Sequence, residues 1–485
     1  MNRAFPVPYF EKEMAMNIFN TEDTLIIASI VVVYIAFTTW LTFRLRSKNN
    51  GDFMEGSRIV PSFIVGILLM SEYIGAKSTV GTAQAAFNGG IAASWSVIGA
   101  AIGFPIFGIV LVKRIYNTGK MTISGALAEK YGDSTRKIIS LVMIYALLLV
   151  NVGNYVSGAA AISTVLNISL PTAAFVTAIV STFYFAFGGL KGVAWVTMVH
   201  SALKYFGILA ILWFALSQTG GFKPMIENMP SFYWTWDGKI GASTIFAWLI
   251  GTVGSIFCTQ FVIQAISSTK DVKAAKRATW VAFFFCLPIG LSIAIIGVAA
   301  KYLHPEINSL YALPVFLQSM NPWMAGIVTT SLVASIFVSV STVALAVASL
   351  VVKDFYVPYR NPTPEQEFKA TRWISLLIGF LPLIFVLLVP EVLKLSFFTR
   401  AVRLSISVVT IIAFYAPFYK SARGANLGLI GACVVTSIWY LLGDPFGIDN
   451  MYIALLSPAV IMALDYLIPK KSAGTLNKSI ESRGV

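Results

Sequence analysis

The sequence predicts an all-α membrane protein of about thirteen transmembrane helices, built around two inverted repeats. Three observations carry this. Only 12% of the 485 residues are charged and 57% are hydrophobic, against roughly 25% charged in a soluble domain. The apolar residues fall into long uninterrupted runs. The Lys and Arg residues then alternate between the connections on the two sides of those runs.

The runs lie at about 24–43, 60–84, 91–112, 138–166, 171–188, 194–217, 241–264, 278–300, 323–352, 373–392, 398–418, 425–442 and 451–468. Each is long enough to cross a hydrocarbon core of roughly 30 Å at about 1.5 Å per residue. They are apolar on every face, which excludes the short alternating strands of a barrel. Residues 1–22 hold Glu11, Lys12 and Glu13 and no apolar stretch, so no cleavable signal is expected and the first run both targets and anchors the chain. Cys258, Cys286 and Cys433 sit inside apolar runs at spacings that fit neither a metal site nor a disulfide framework. They read as packing residues.

A net charge of +14 would suggest nucleic acid in a soluble protein. Here about 25 of the 35 Lys and Arg fall in the odd connections, among them Arg44, Lys113, Arg114, Lys270, Lys273, Lys276 and Arg277, and about six on the other side, such as Lys223, Lys239 and Lys301. Cytoplasmic loops carry the excess. The expected topology therefore has residues 1–22 outside, one transporter domain over 23–469, and a short cytoplasmic tail over 470–485. No nucleic-acid partner is implied.

Two runs have weak centres. The second contains Ser71-Glu72-Tyr73-Ile74-Gly75-Ala76-Lys77-Ser78, and the seventh contains Gly251-Thr252-Val253-Gly254-Ser255. They lie five helices apart, as the first helices of two five-helix repeats would, over about 60–217 and 241–418. An odd repeat length inverts one copy relative to the other. Paired interrupted helices point to a transporter site near the midplane, with freed carbonyls for a cation and helix N-termini for an anion. Ordinary glycine packing between helices is the plainer alternative.

Gly188-Gly189-Leu190-Lys191-Gly192-Val193-Ala194-Trp195, Thr259-Gln260-Phe261-Val262-Ile263-Gln264, Lys353-Asp354-Phe355-Tyr356 and Phe418-Tyr419-Lys420 with Gly424-Ala425 resemble, in order, four motifs of the sodium:solute symporter family. The resemblance covers about residues 20–445. It implies a LeuT-like 5+5 inverted-repeat core with one extra N-terminal and two extra C-terminal helices. It also implies symport of a small solute with sodium across a bacterial inner membrane, with no cofactor.

In that family sodium sits between the first broken helix and the eighth core helix. The resemblance places its ligands at Ser71, Ile74, Ser335, Val338 and Ser339. Val338 stands where the family has a hydroxyl, unless the register brings in Ser341 or Thr342. Thr197 replaces an aspartate that the family shows near the cytoplasmic exit. Lys204 lies two turns beyond Thr197 on the same face, roughly 15 Å into the sixth run. A lysine in hydrocarbon costs at least about 2.5–3.5 kcal/mol and needs a cavity or a partner. Some proton-coupled amino-acid transporters of the same fold place a lysine from this helix where sodium would sit. The alternative is a lysine paired structurally to a carboxylate, and hydroxyls such as those of Ser335 and Ser339 can simply bond back to their own helix.

For the solute, the candidates are Glu72, Tyr73, Lys77 and Ser78 at the first break, and Gly251, Ser255, Thr259 and Gln260 along the seventh run. Arg400 and Arg403 of the eleventh run complete the set. Guanidinium suits carboxylate, and the interior is net positive against Glu72, so the expected solute is a small organic anion. Glu72 with Lys77 as a neutralised structural pair, and arginines snorkelling to the headgroups, are the competing readings. His200 is expected to pack rather than relay protons. No catalytic cluster stands out, so an enzyme is not expected. A transporter-like sensor would need more than the tail after residue 469. The partners expected are a solute, a coupling cation (Na+ or H+) and the bilayer; the sequence sets no oligomeric state and is compatible with a functional monomer.

Overall fold

The computed structural model describes residues 19–45, 60–166, 168–185, 189–388 and 392–468. Residues 1–18 of the expected outer segment, the tail 470–485 and Gly188 of the signature lie outside these. All the regular structure of the described residues is helical, with no strand among them.

Helix α1 (Thr21–Leu45) carries Glu22 and Asp23 in its first turn and Arg44 in its last, charges that oppose the helix macrodipole at both ends. Helices α2 (Ser62–Tyr73) and α3 (Ala76–Gly89) form one path bent by 49°. Then come α4 (Trp95–Val110), the short α5 (Ile123–Tyr131), α6 (Asp133–Leu166), α7 (Leu170–Phe185) and α8 (Gly189–Thr219). A second bent path, α9 (Ala242–Cys258) and α10 (Gln260–Ser267), turns by 51°. It leads to α11 (Val272–Leu303), α12 (Pro322–Val351), α13 (Pro364–Phe380), α14 (Val392–Tyr415), α15 (Ala422–Leu441) and α16 (Asn450–Leu467).

The helix starts are set locally. Asp271 caps α11 through Ala274 N (2.6 Å), Asn321 caps α12 through Met324 N (2.9 Å) with Pro322 next, and Thr363 and Gln366 form a reciprocal capping box on α13. Helix α5 begins at Thr122, whose hydroxyl accepts from Gly125 N, and stops at Gly132, which adopts φ 85°.

By length and composition, ten described helices can cross a membrane, or up to twelve when each bent pair counts as one span. The apolar part of α7, Leu170–Thr182, is shorter. Burial separates core from rim. In the path that α12 begins, 94% of the most apolar window is buried, against 11% in α1. Helix α12 lies among α8, α6 and α1, while α11 packs on α4, α2 and α3. Trp213, Phe284, Trp373 and Leu377 face outward and are exposed. A surface of large apolar side chains on this scale belongs against lipid, and the chain is a multi-pass membrane protein.

The second break differs from expectation. Gly251 to Ser255 stays helical, and the path turns at Thr259 instead. The glycines serve packing: a Cβ at Gly251 would fall 2.1 Å from Met451 Sδ, and one at Gly254 would fall 2.1 Å from Leu404 Cδ1. They let α16 and α14 close onto α9.

Candidate cation and solute sites

The first break forms at Ile74-Gly75. Ile74 leaves the helix at φ −95°, ψ 54°, and Gly75 is extended. Helix ends leave carbonyls without intrahelical donors, and a side chain from α8 meets two of them. Lys204 is 1% exposed. Its Nζ donates to Ser71 O (2.9 Å), Ser71 Oγ (2.7 Å) and Ile74 O (2.8 Å), which uses all three ammonium protons. Glu72 and the Cys286 thiol of α11 lie within electrostatic reach.

The α12 face of this site is only partly engaged. Gly75 packs directly on Ser339, and a Cβ there would fall 1.8 Å from Ser339 Oγ. The Ser339 hydroxyl has no hydrogen-bond partner among the described residues. Ser335 bonds back to Ser331 O (3.0 Å), the plainer of the two sequence readings for it. Val338 is buried and apolar. On α8, Thr197 and Ser201 share the Lys204 stripe at helical spacing, and both buried hydroxyls are without a partner among the described residues. His200 packs, as expected, edge-on to Phe337 and hydrogen-bonded to the Tyr34 hydroxyl of α1.

The solute candidates divide into two groups. Glu72 (3% exposed) and Lys77 (4%) flank the break, and neither makes a hydrogen bond or an ion pair with any described residue. Lys77 lies within electrostatic reach of Glu72, Arg403 and Arg400. The Tyr73 hydroxyl lies near Ser255, Thr259 and Arg403, and its ring stands edge-on to Phe104. Arg403 Nε donates to Thr399 O (3.0 Å) and its Nη1 to Thr259 Oγ1 (2.8 Å), at the second break. Arg400 Nη1 donates to Thr252 Oγ1 (2.7 Å) and Ser96 O (3.2 Å), and its guanidinium lies over the Phe397 ring. At 1% and 2% exposure, both arginines point into the bundle rather than snorkelling.

Four candidates do not join that group with free polar atoms. Ser78 Oγ donates to Tyr73 O (2.5 Å) across the break, and Ser255 Oγ donates to Thr252 O (2.9 Å). Gly251 is filled by Met451. Gln260 faces elsewhere: its Nε2 donates to Met121 O (2.9 Å), and its Oε1 accepts from Ile123 N (3.1 Å). It holds the start of α5 and is occupied there, because an amide carries donor and acceptor together and a loop strand with both unpaired is its natural partner.

Sequence reasoning missed Thr252 and Ser96 as anchors for Arg400, and it missed a pair on α6. Asn154 Nδ2 donates to Asn151 Oδ1 (3.0 Å), leaving Asn151 Nδ2 and Asn154 Oδ1 without partners among the described residues. Gly153 between them faces Lys77, with a built Cβ 3.6 Å from Lys77 Cβ. Two amides three residues apart in an apolar run were the available signal.

Two interrupted helices with buried charges at their breaks, inside a helical bundle, define a membrane transporter of small solutes. The model of the sodium:solute symporter family matches residues 53–431, and the chain belongs to that family. It is 22% identical to the sodium/proline symporter of Escherichia coli (strain K12) over 438 residues, covering 85% of this chain and 86% of that one. It is equally 22% identical to an uncharacterized symporter, YwcA, of Bacillus subtilis (strain 168), over 89% and 87% of the two chains. Among solved structures, a Na+-coupled sialic acid symporter in a substrate-bound outward-open state superposes with a TM-score of 0.78 at 18% identity, over 92% of this chain and 98% of that one. A nucleobase-cation-symport-1 family transporter in a closed conformation gives 0.57 at 15% identity, over 87% and 96%. The protein is thus a transporter and not an enzyme, and it couples uptake of a small solute to a cation.

Proposed function

We propose that the protein takes up a small organic anion by alternating access, and that the Lys204 ammonium holds the position sodium holds in its relatives. The observation that carries this is the set of three hydrogen bonds from Lys204 Nζ to Ser71 and Ile74 at the first break. An ion in the same cage would meet a fixed positive charge at about 4 Å, a repulsion of roughly 4 kcal/mol at an effective dielectric constant near 20. Val338 adds no oxygen to offset it. Sodium is then not required, and the proton is left as the coupling cation. Glu72, Tyr73, Lys77, Thr259, Arg400 and Arg403 surround the solute in this reading, and Ser71, Ile74, Ser335, Val338 and Ser339 with Lys204 make up the cation region.

The proposed frame is thirteen spans in a bacterial plasma membrane. The N-terminus is outside, the C-terminus cytoplasmic, and the two inverted repeats over about 60–217 and 241–418 move against each other at the two breaks. One observation favours retained sodium coupling: the Ser339 hydroxyl beside the break, which has no partner among the described residues. The experiment is uptake of a labelled solute panel into proteoliposomes, in choline against sodium medium at fixed pH. Sodium-independent uptake that responds to an inward proton gradient, and falls at least tenfold in Lys204→Gln, is expected. Strong sodium stimulation retained in Lys204→Gln overturns the lysine assignment.

A further inference from the structure

The charges around the solute region do not balance. Lys77, Arg400 and Arg403 are each 4% exposed or less, and they face one carboxylate, that of Glu72. Glu72 is the acid that acts on both Lys77 and Arg400. None of these four side chains forms an ion pair with a described residue. Among the described residues the arginines are held by neutral groups: Thr252 Oγ1 and Ser96 O for Arg400, Thr259 Oγ1 and Thr399 O for Arg403. A buried charge without a counter-charge is costly even when hydrogen-bonded. The two guanidiniums are therefore without an acidic partner of their own among the described residues, and the one carboxylate near them also lies within reach of Lys204.

The two guanidiniums are also anchored separately. They sit three residues apart on α14, so they leave the same face. Their threonine anchors are seven residues apart on the α9 path, about 10 Å of helical rise. One compact anion serves one guanidinium fork well. Two forks tied to separate anchors suit two anionic groups joined by a short chain.

We infer that the transported solute is a small organic dianion carrying its charges on two separate groups, a dicarboxylate of a few carbons. This rests on the proposed anion reading and narrows it.

The test uses the purified full-length chain in nanodiscs at about pH 7.5, where simple carboxylates are ionised. Thermal stabilisation and competition for labelled uptake in proteoliposomes are measured with matched series: linear dicarboxylates of three to six carbons, their monoamides and their diamides. A phosphate monoester of similar size is a further arm. The expected result is a dicarboxylate binding at least tenfold more tightly than its monoamide, with the diamide inert. Arg400→Gln and Arg403→Gln should each bring dicarboxylate and monoamide to within about threefold, while Arg400→Lys, which keeps the charge, keeps the preference. Tighter binding of the monoamide overturns the dianion and leaves the anion reading standing. Binding of the diamide alone overturns both. Preference for the phosphate monoester, or no response to any dicarboxylate, overturns the two-group dianion.

Discussion

Gly75 decides how closely two helices meet. Its missing Cβ lets α12 approach the first break until Ser339 Oγ occupies the place a methyl would take, 1.8 Å from the ideal Cβ position. Neither neighbour can yield cheaply, because Ser339 is on the most buried helix and Gly75 sits where the chain has already left helical geometry. Gly75→Ala should cost about 1–3 kcal/mol through overpacking, seen as a lower Tm, and should cut uptake at least tenfold. Adding Ser339→Gly should restore much of the Tm. Normal uptake and an unchanged Tm in Gly75→Ala would show that the contact is not required. At this scale the sequence was partly legible. Glu72, Lys77, Lys204, Arg400 and Arg403 stand out because charge is rare in apolar runs. Thr252, Ser96 and the Asn151–Asn154 pair do not, because polar neutral residues bond back to their own helix as often as they reach across.

Among the elements, α5 ties several helix ends together. Gln260 of α10 holds the Met121 and Ile123 backbone. Ser124 donates to Asp354 Oδ2 (2.5 Å), in the π turn Val352–Tyr356 that continues α12, and Ser140 of α6 donates to the same oxygen. Lys130 Nζ donates to Ala413 O and Ala416 O (2.8 Å each) at the end of α14. Removing the shared carboxylate leaves the buried Ser124 hydroxyl without its acceptor, while Ser140 keeps Arg136 O (3.0 Å), a loss of about 1–3 kcal/mol. Asp354→Ala, and separately Gln260→Ala, should therefore raise the rate at which a cysteine placed at Met121 reacts with a soluble maleimide by several-fold. An unchanged rate in both would mean that these bonds do not hold the start of α5 in place. The breaks show why elements were read unevenly from sequence. The first break was legible because Glu72, Gly75 and Lys77 interrupt an apolar run together. The second was misplaced by about one to two turns, because glycines that admit a neighbouring helix look the same as glycines that end one, and Thr259 carries no such mark.

For the whole molecule, helical class and family were legible from hydropathy and motif order, since lipid leaves the backbone few alternatives. Orientation rests on charge asymmetry alone, and it makes a direct prediction. In cysteine variants, position 239 should react with an impermeant reagent from outside intact cells, and position 276 should react only after permeabilisation. Labelling of both from one side would rule out the thirteen-span arrangement.

The bonds from Lys204 to the first break are made by a group covalently attached to the same chain. A bound ion stabilises its site in proportion to the logarithm of its concentration over its dissociation constant, so a bundle braced by an ion tightens and loosens with the medium. A brace supplied by the chain has an effective concentration set by its tether. On the proposed reading the brace joining α2, α3 and α8 does not follow the sodium concentration on either side of the membrane; what releases it is a change in the protonation of Lys204 or the movement of the repeats against each other at the break.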